Sequence, residues 1–158
     1  MSIICLSLIF RLIGTMNAAP QGRTQFAVSK DGTRIAYVGW DVGSRTHSGD
    51  YEPLFSRIYV FDLDASKFSA ATNKVGQDRA PSYSPDGKEI AFISNRSGHF
   101  ELWLMAADGR RLRRITDLAR SGYEAWFDRP AWSPDGRRLA FTAVPLTRQL
   151  SSSLPFEG

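Results

Sequence analysis

A Ser-Pro-Asp-Gly turn that recurs along the chain, strand-forming runs on both sides of each copy, and the absence of a sustained helical pattern together predict an all-β fold. The unit is a four-stranded antiparallel blade, and the chain carries about two and a half of them, an incomplete β-propeller. Pro81-Ser-Tyr-Ser-Pro-Asp-Gly-Lys-Glu-Ile-Ala-Phe-Ile-Ser94 returns as Pro130-Ala-Trp-Ser-Pro-Asp-Gly-Arg-Arg-Leu-Ala-Phe-Thr-Ala143, with a looser copy over Phe26-Ala-Val-Ser-Lys-Asp-Gly-Thr-Arg-Ile-Ala-Tyr-Val38. The spacing is 55 residues from Asp31 to Asp86 and 49 from Asp86 to Asp135, a period typical of propellers and solenoids.

In chain order, residues 1–23 open on an apolar run, Met1 to Phe10, followed by Arg11 and the small pair Ala18-Ala19. This stretch reads either as an export signal or as a strand left over from a preceding repeat, and it is too short for a transmembrane helix. The first blade is expected near 24–76, with Arg57-Ile-Tyr-Val-Phe-Asp62 as its third strand and a long insertion, Trp40 to Ser56, in place of its second turn.

The second blade, near 77–118, spells the unit out. Pro81–Ser84 and Glu89–Ser94 are two strands joined by the Ser84-Pro-Asp-Gly87 turn. There proline presets φ, aspartate bonds nearby backbone and glycine takes positive φ. Asn95-Arg-Ser-Gly98 turns into Phe100–Met105, and Ala107-Asp-Gly109 turns into a fourth strand, Leu112–Thr116. A sheet with two apolar faces cannot bury them alone, so such units stack. The third copy, near 130–143, carries only the first two strands, and residues 144–158 read as a disordered tail.

These residues bring a family into view. Ser84-Pro-Asp-Gly87, Ile90-Ala-Phe92, Ser94-Asn-Arg96, Glu101-Leu-Trp-Leu-Met105, Asp108-Gly109 and Arg114-Ile-Thr116, followed by Pro130-Ala-Trp-Ser-Pro-Asp-Gly136, resemble the TolB-type propeller repeat over 81–143 and more loosely over 26–63. The resemblance implies a WD-repeat-like propeller, of the kind found in the periplasmic TolB component and in the non-catalytic propellers of prolyl oligopeptidase-type peptidases. The fold expected of two and a half blades is open, since closed rings use at least about four. Open faces and strand edges favour self-association or point to a truncated product.

Composition narrows the function. Twenty basic against 16 acidic side chains leave a charge of +4, too mild to demand an acidic partner. Cys5 is the single cysteine and His47 and His99 the only histidines, so neither a disulfide nor an ordinary zinc site is expected. No Gly-x-Ser-x-Gly elbow and no carboxylate pair at a catalytic spacing occurs. The chain is therefore expected to be no enzyme, with no catalytic residue, no cofactor and no metal. Arg110, Arg111, Arg113 and Arg114 suggest a basic patch, but without interleaved aromatics they read as a solvated sheet edge rather than a nucleic-acid site.

Topology places function at one end. In an up-and-down meander the first and third turns share one end of the blade, while the second turn and the inter-blade connection share the other. The two long stretches, Trp40–Ser56 and Asp117–Arg129, therefore lie at the same end. They carry Trp40, Tyr51, Tyr123, Trp126 and Phe127, the residue types enriched at interaction hot spots. These five are the candidate partner-binding residues. The competing reading packs them between blades, and for Trp103 and Trp132, inside strands, packing is the expectation.

The functional expectation is a non-enzymatic scaffold that presents loops to a protein partner, in the periplasm if the N-terminus is an export signal and in the cytoplasm if it is not. The alternatives are the propeller portion of a prolyl oligopeptidase-like hydrolase and a non-functional truncated product.

Overall fold

The computed structural model describes residues 25–45, 51–126 and 128–146, with the side chains of 40–45 and 51–54 outside that description. The first blade is a four-stranded antiparallel meander of β1 (Phe26–Val28), β2 (Arg34–Arg45), β3 (Tyr51–Asp62) and β4 (Lys67–Ala70). The second repeats it with β5 (Asp78–Tyr83), β6 (Glu89–Ser94), β7 (Glu101–Ala106) and β8 (Arg113–Arg114). Beyond a short 3-10 helix, Leu118–Ser121, come β9 (Tyr123–Ala125), β10 (Ala131–Trp132), β11 (Leu139–Ala140) and β12 (Ala143–Pro145). β10 pairs with β11, and β12 pairs back with β9.

Three sequence expectations change here. Trp40–Ser56 is not a loop throughout: β2 and β3 run on as a paired ribbon, from Trp40 opposite Ser56 to Arg45 opposite Tyr51, with register shifts after Asp41 and Val42. The extended backbone is satisfied by ladder hydrogen bonds between two strands rather than by local turn chemistry. Asp117–Arg129 likewise contains a helical turn and a strand. Val144 and Pro145, assigned to the tail, belong to β12, and the Leu146 N–H donates to the Gly122 carbonyl at 2.8 Å. Residues 1–24 and 147–158 lie outside the described residues.

The same hydrogen-bond network builds the three Ser-x-Asp-Gly turns. In the second blade the Ser84 hydroxyl donates to Asp86 at 2.7 Å and accepts the Glu89 N–H at 2.9 Å, while the Lys88 N–H donates to Asp86. Ser29 and Asp31 repeat it with Thr33 and Arg34, and Ser133 and Asp135 with Arg137 and Arg138. Gly32, Gly87 and Gly136 sit at φ of 74°, 72° and 71°, a conformation that costs other residues about 1–2 kcal/mol. Serine, aspartate and glycine are thus required; proline is not, which is why Lys30 can stand where Pro85 and Pro134 do.

The blades stack with large side chains against small ones. The first blade turns Ala27, Ala36, Ile58 and Val60 toward Tyr83, Ile90, Phe92, Met105 and Trp103 of the second. The second turns Ala91, Ile93, Leu102 and Leu104 toward Trp132, Leu139 and Phe141 of the third, so Trp103 and Trp132 pack as expected. Trp132 also donates its indole N–H to the Ser82 carbonyl at 3.2 Å.

A buried ion pair pins the second blade. Both Asp78 oxygens lie 2.8 Å from Arg96 Nη2, and the aspartate also accepts the Ser94 hydroxyl at 2.6 Å. The Arg96 guanidinium lies over the Phe92 and Trp103 rings, 5.5 and 5.4 Å from their centroids. The start of β5, the end of β6 and the following turn are thereby tied together. Removing the cation leaves Asp78, fully buried, without its counter-charge. Arg96→Ala is expected to cost about 3–5 kcal/mol, read from chemical denaturation; a loss below about 1 kcal/mol would show that the pair does not hold the blade.

The turn aspartates predict an acid-labile step. Asp31 is held down to about 2, first by the Ser29 hydroxyl and then by the Thr33 N–H and hydroxyl, against an ordinary value of 3.8. Asp86 and Asp135 are lowered chiefly by Ser84 and Ser133. A folded pKa below the unfolded one means stabilisation that is complete above about pH 4 and lost as pH falls toward about 2. The thermal midpoint should drop across that window, and Asp31→Asn should flatten the drop; an unchanged slope in the variant would remove Asp31 from the cause.

Candidate functional site

The connection from the second to the third blade is built around a carboxylate the sequence reading passed over. Glu101 opens β7 and is almost fully buried. Its oxygens accept the Thr116 hydroxyl and the backbone N–H groups of Leu118 (3.0 Å) and Ala119 (3.1 Å), which begin the 3-10 helix. A negative charge facing free N–H groups at a helix start is favourable, and three donors compensate its burial. The signal was present: one acid inside the apolar run Phe100–Met105, with a threonine 15 residues further on.

From that anchor the chain is led outward in steps. Gly122, at φ 77°, ends the helical turn and returns its N–H to Ala119. Tyr123–Ala125 then pairs with Ala143–Pro145, and the buried Ala125 donates its N–H to the Phe100 carbonyl at 2.7 Å. The Trp126 N–H donates to the Thr142 carbonyl at 2.8 Å. Held on both sides of Ala125, Tyr123 and Trp126 are 44% and 43% exposed. These two candidates therefore stand at the surface on a backbone fixed by strand pairing, instead of filling the space between blades.

The other three candidates are placed differently. Trp40 and Tyr51 belong to the paired strands β2 and β3, their side chains being outside the described part, and Phe127 lies outside the described residues. No sheet pairing among the described residues joins the ribbon to the connection, which share an end of the blades by topology.

The basic cluster is engaged locally. Arg113 meets Glu89 at 2.8 Å, Arg110 meets Asp108 at 2.6 Å, and Arg114 and Arg120 flank Asp117 at 3.4 and 3.5 Å. Most of these charges are solvent-exposed, where such pairs contribute little stability but use up charge. Among the described residues no group of three or more His, Cys, Asp or Glu is arranged to hold a metal ion, and no helix is long and apolar enough to cross a membrane.

Repeated turns, four-stranded blades and this connection match a family model described as the TolB beta propeller domain over residues 23–145. The chain belongs to that family. An uncharacterized protein of Agrobacterium fabrum is 37% identical over 107 residues, covering 66% of this chain and 34% of that protein. An uncharacterized peptidase of Bacillus subtilis, YuxL, is 32% identical over 113 residues, covering 71% of this chain and 16% of the peptidase. The solved structure of a putative TolB from Agrobacterium tumefaciens aligns with a TM-score of 0.62 at 29% identity, over 82% of this chain and 41% of that one. This TolB-like chain thus spans about a third or less of the length of these curated relatives.

Glu101 is the test of how the connection is held. Glu101→Ala removes three hydrogen bonds to a charged acceptor, and the variant should lose roughly 1.5–3 kcal/mol. Hydrogen exchange should rise first at the amides of Leu118 and Ala119; exchange that rises evenly over the chain would assign Glu101 no local role.

Proposed function

We propose that this chain is a non-enzymatic protein-binding module whose contact surface is the connection carrying Tyr123 and Trp126. One observation carries the reading: two large aromatic side chains are nearly half exposed on a backbone that strand pairing and the Glu101 anchor hold in place. Rigid, amphipathic aromatics lose little conformational entropy on binding and dominate protein interfaces. Trp40, Tyr51 and Phe127, named from the sequence, are proposed as further members of this contact set. A location in the cell envelope accompanies this reading, on the strength of the family and of the apolar N-terminal run.

A second reading, the propeller portion of a larger hydrolase, is favoured by the match to the Bacillus peptidase, of which this chain covers 16%. There the same surface would face a neighbouring catalytic domain. A reading frame that continues past residue 158 into a Ser-Asp-His hydrolase domain would select this reading over the first.

The wild-type chain and the Tyr123→Ala/Trp126→Ala variant, used in parallel as bait for envelope proteins of the source cell, test the surface. Truncating a hot-spot aromatic costs roughly 2 kcal/mol or more, so a genuine partner should be retained by the wild type and lost by the double variant, with the thermal midpoint of the two within a few degrees. Equal retention by both would place binding elsewhere.

A further inference from the structure

The outer edge of the second blade carries a side-chain order that the blade itself does not use. β8 stands last in the sheet order β5-β6-β7-β8, so one side of it pairs with β7 and the other meets no described strand. The first blade has the same plan: β4 is its last strand, and the chain moves on to β5 without returning to it. The free edge is a property of the blade.

Backbone direction fixes what that edge offers. Arg113 stands opposite Leu104, and the Ile115 N–H donates to the Leu102 carbonyl at 2.8 Å, so Arg113 and Ile115 turn their peptide groups toward β7. By the alternation of a strand, Leu112 and Arg114 turn theirs outward. Every residue from Arg110 to Ile115 is exposed, and two of them are large and aliphatic, Leu112 at 39% and Ile115 at 44%. Charge alone is enough to keep other strands off an edge, and these two side chains add nothing to that task.

Leu112-Arg113-Arg114-Ile115 reads apolar, basic, basic, apolar. A second copy of this edge laid against it sets arginine opposite arginine, which is unfavourable. A strand reading apolar, acidic, acidic, apolar instead sets carboxylates opposite Arg113 and Arg114 and apolar side chains opposite Leu112 and Ile115. The ion pairs already present do not stand in its way: Arg113 with Glu89 and Arg114 with Asp117 are partly exposed pairs, whose exchange for new ones costs little. Arg111 has no ion pair among the described residues. We infer that the outer edge of the second blade takes up an extended acidic segment of a partner protein by strand addition. The outward peptide groups of Leu112 and Arg114 supply the main-chain hydrogen bonds, and the side-chain order supplies the choice of partner. This inference does not rest on the surface that carries Tyr123 and Trp126.

The test uses the full chain and two labelled, capped peptides of equal composition and charge, one with the core Val-Glu-Glu-Val and one with the core Glu-Val-Val-Glu, read by fluorescence anisotropy. The first should bind, and the second should bind about tenfold more weakly, because its acids fall opposite Leu112 and Ile115. When the first peptide is bound, hydrogen exchange in the wild type should slow at the amides of Leu112 and Arg114. The Arg113→Glu/Arg114→Glu variant should lose the Val-Glu-Glu-Val peptide by about tenfold or more and gain one with the core Val-Lys-Lys-Val. That gain also shows that the variant folds.

No binding of the Val-Glu-Glu-Val peptide would overturn the inference. Equal binding of the two glutamate peptides would mean attraction by charge without strand pairing, and protection that misses Leu112 and Arg114 would mean another site; each overturns it as well. Binding that survives the arginine changes but is lost in Tyr123→Ala/Trp126→Ala would assign the peptide to the connection and reject the edge. Should the charge-reversed variant fail to fold, the comparison of the two core orders and the exchange measurement decide the matter on the wild-type chain alone.

Discussion

A four-stranded sheet with apolar side chains on both faces must have something on each side of it, and most of this architecture follows from that constraint. The second blade satisfies it in full. Ile90, Ala91, Phe92 and Ile93 of β6 are all completely buried, two toward the first blade and two toward the third. At about 25 cal/mol per Å² of apolar surface removed from water, such double burial is the dominant favourable contribution. Neighbouring blades are therefore the condition under which this sheet exists at all.

Burial in this manner raises the problem of polar groups at the strand ends, and the chain solves it with short, repeated side-chain bonds. Thr72 accepts the Ile58 N–H in the first blade, and Thr116 accepts the Leu102 N–H at the equivalent place in the second, both at 2.9 Å. Ser56 donates to the Asp78 carbonyl at 2.8 Å, and Gln25 accepts the Ala80 N–H at 2.7 Å, so the first blade supplies partners for the second. Ala80 itself sits at φ 53°, at the register shift between Arg79 and Ser82. That bulge is a strained feature held by its surroundings. The turn at Gly109 is fitted as closely: a Cβ there would come within 2.6 Å of the Ala71 carbonyl oxygen of the first blade.

Membership of the TolB propeller family therefore explains the scaffold and says little about the work done on it, since folds of this kind host many unrelated roles. The family's repeated residues are spent on turns and blade contacts. What distinguishes this chain from a bare stack lies where the repeat is interrupted: the extended ribbon of β2 and β3, and the connection that Glu101 anchors. Binding surfaces commonly sit on such departures from a rigid frame.

Much of the fold was legible because its signals are local. A serine, an aspartate and a glycine within four residues make the same turn wherever they fall, and alternation over five or six residues makes a strand. The all-β class, the four-stranded unit and the positions of the turns needed nothing beyond this. The ribbon was not legible, because a long hairpin depends on the pairing of two strands whose residues, from Trp40 to Ser56, carry no clean alternation. The β9 to β12 pairing was hidden for the same reason, joining Tyr123 to Pro145 across the third repeat. The role of Glu101 was hidden because its donors lie 15 to 18 residues further along the chain. Residue types within a few positions of each other determined the blades; only tertiary structure decided what faced solvent, because exposure of Tyr123 and Trp126 and burial of Arg96 and Glu101 depend on partners that chain order leaves far apart.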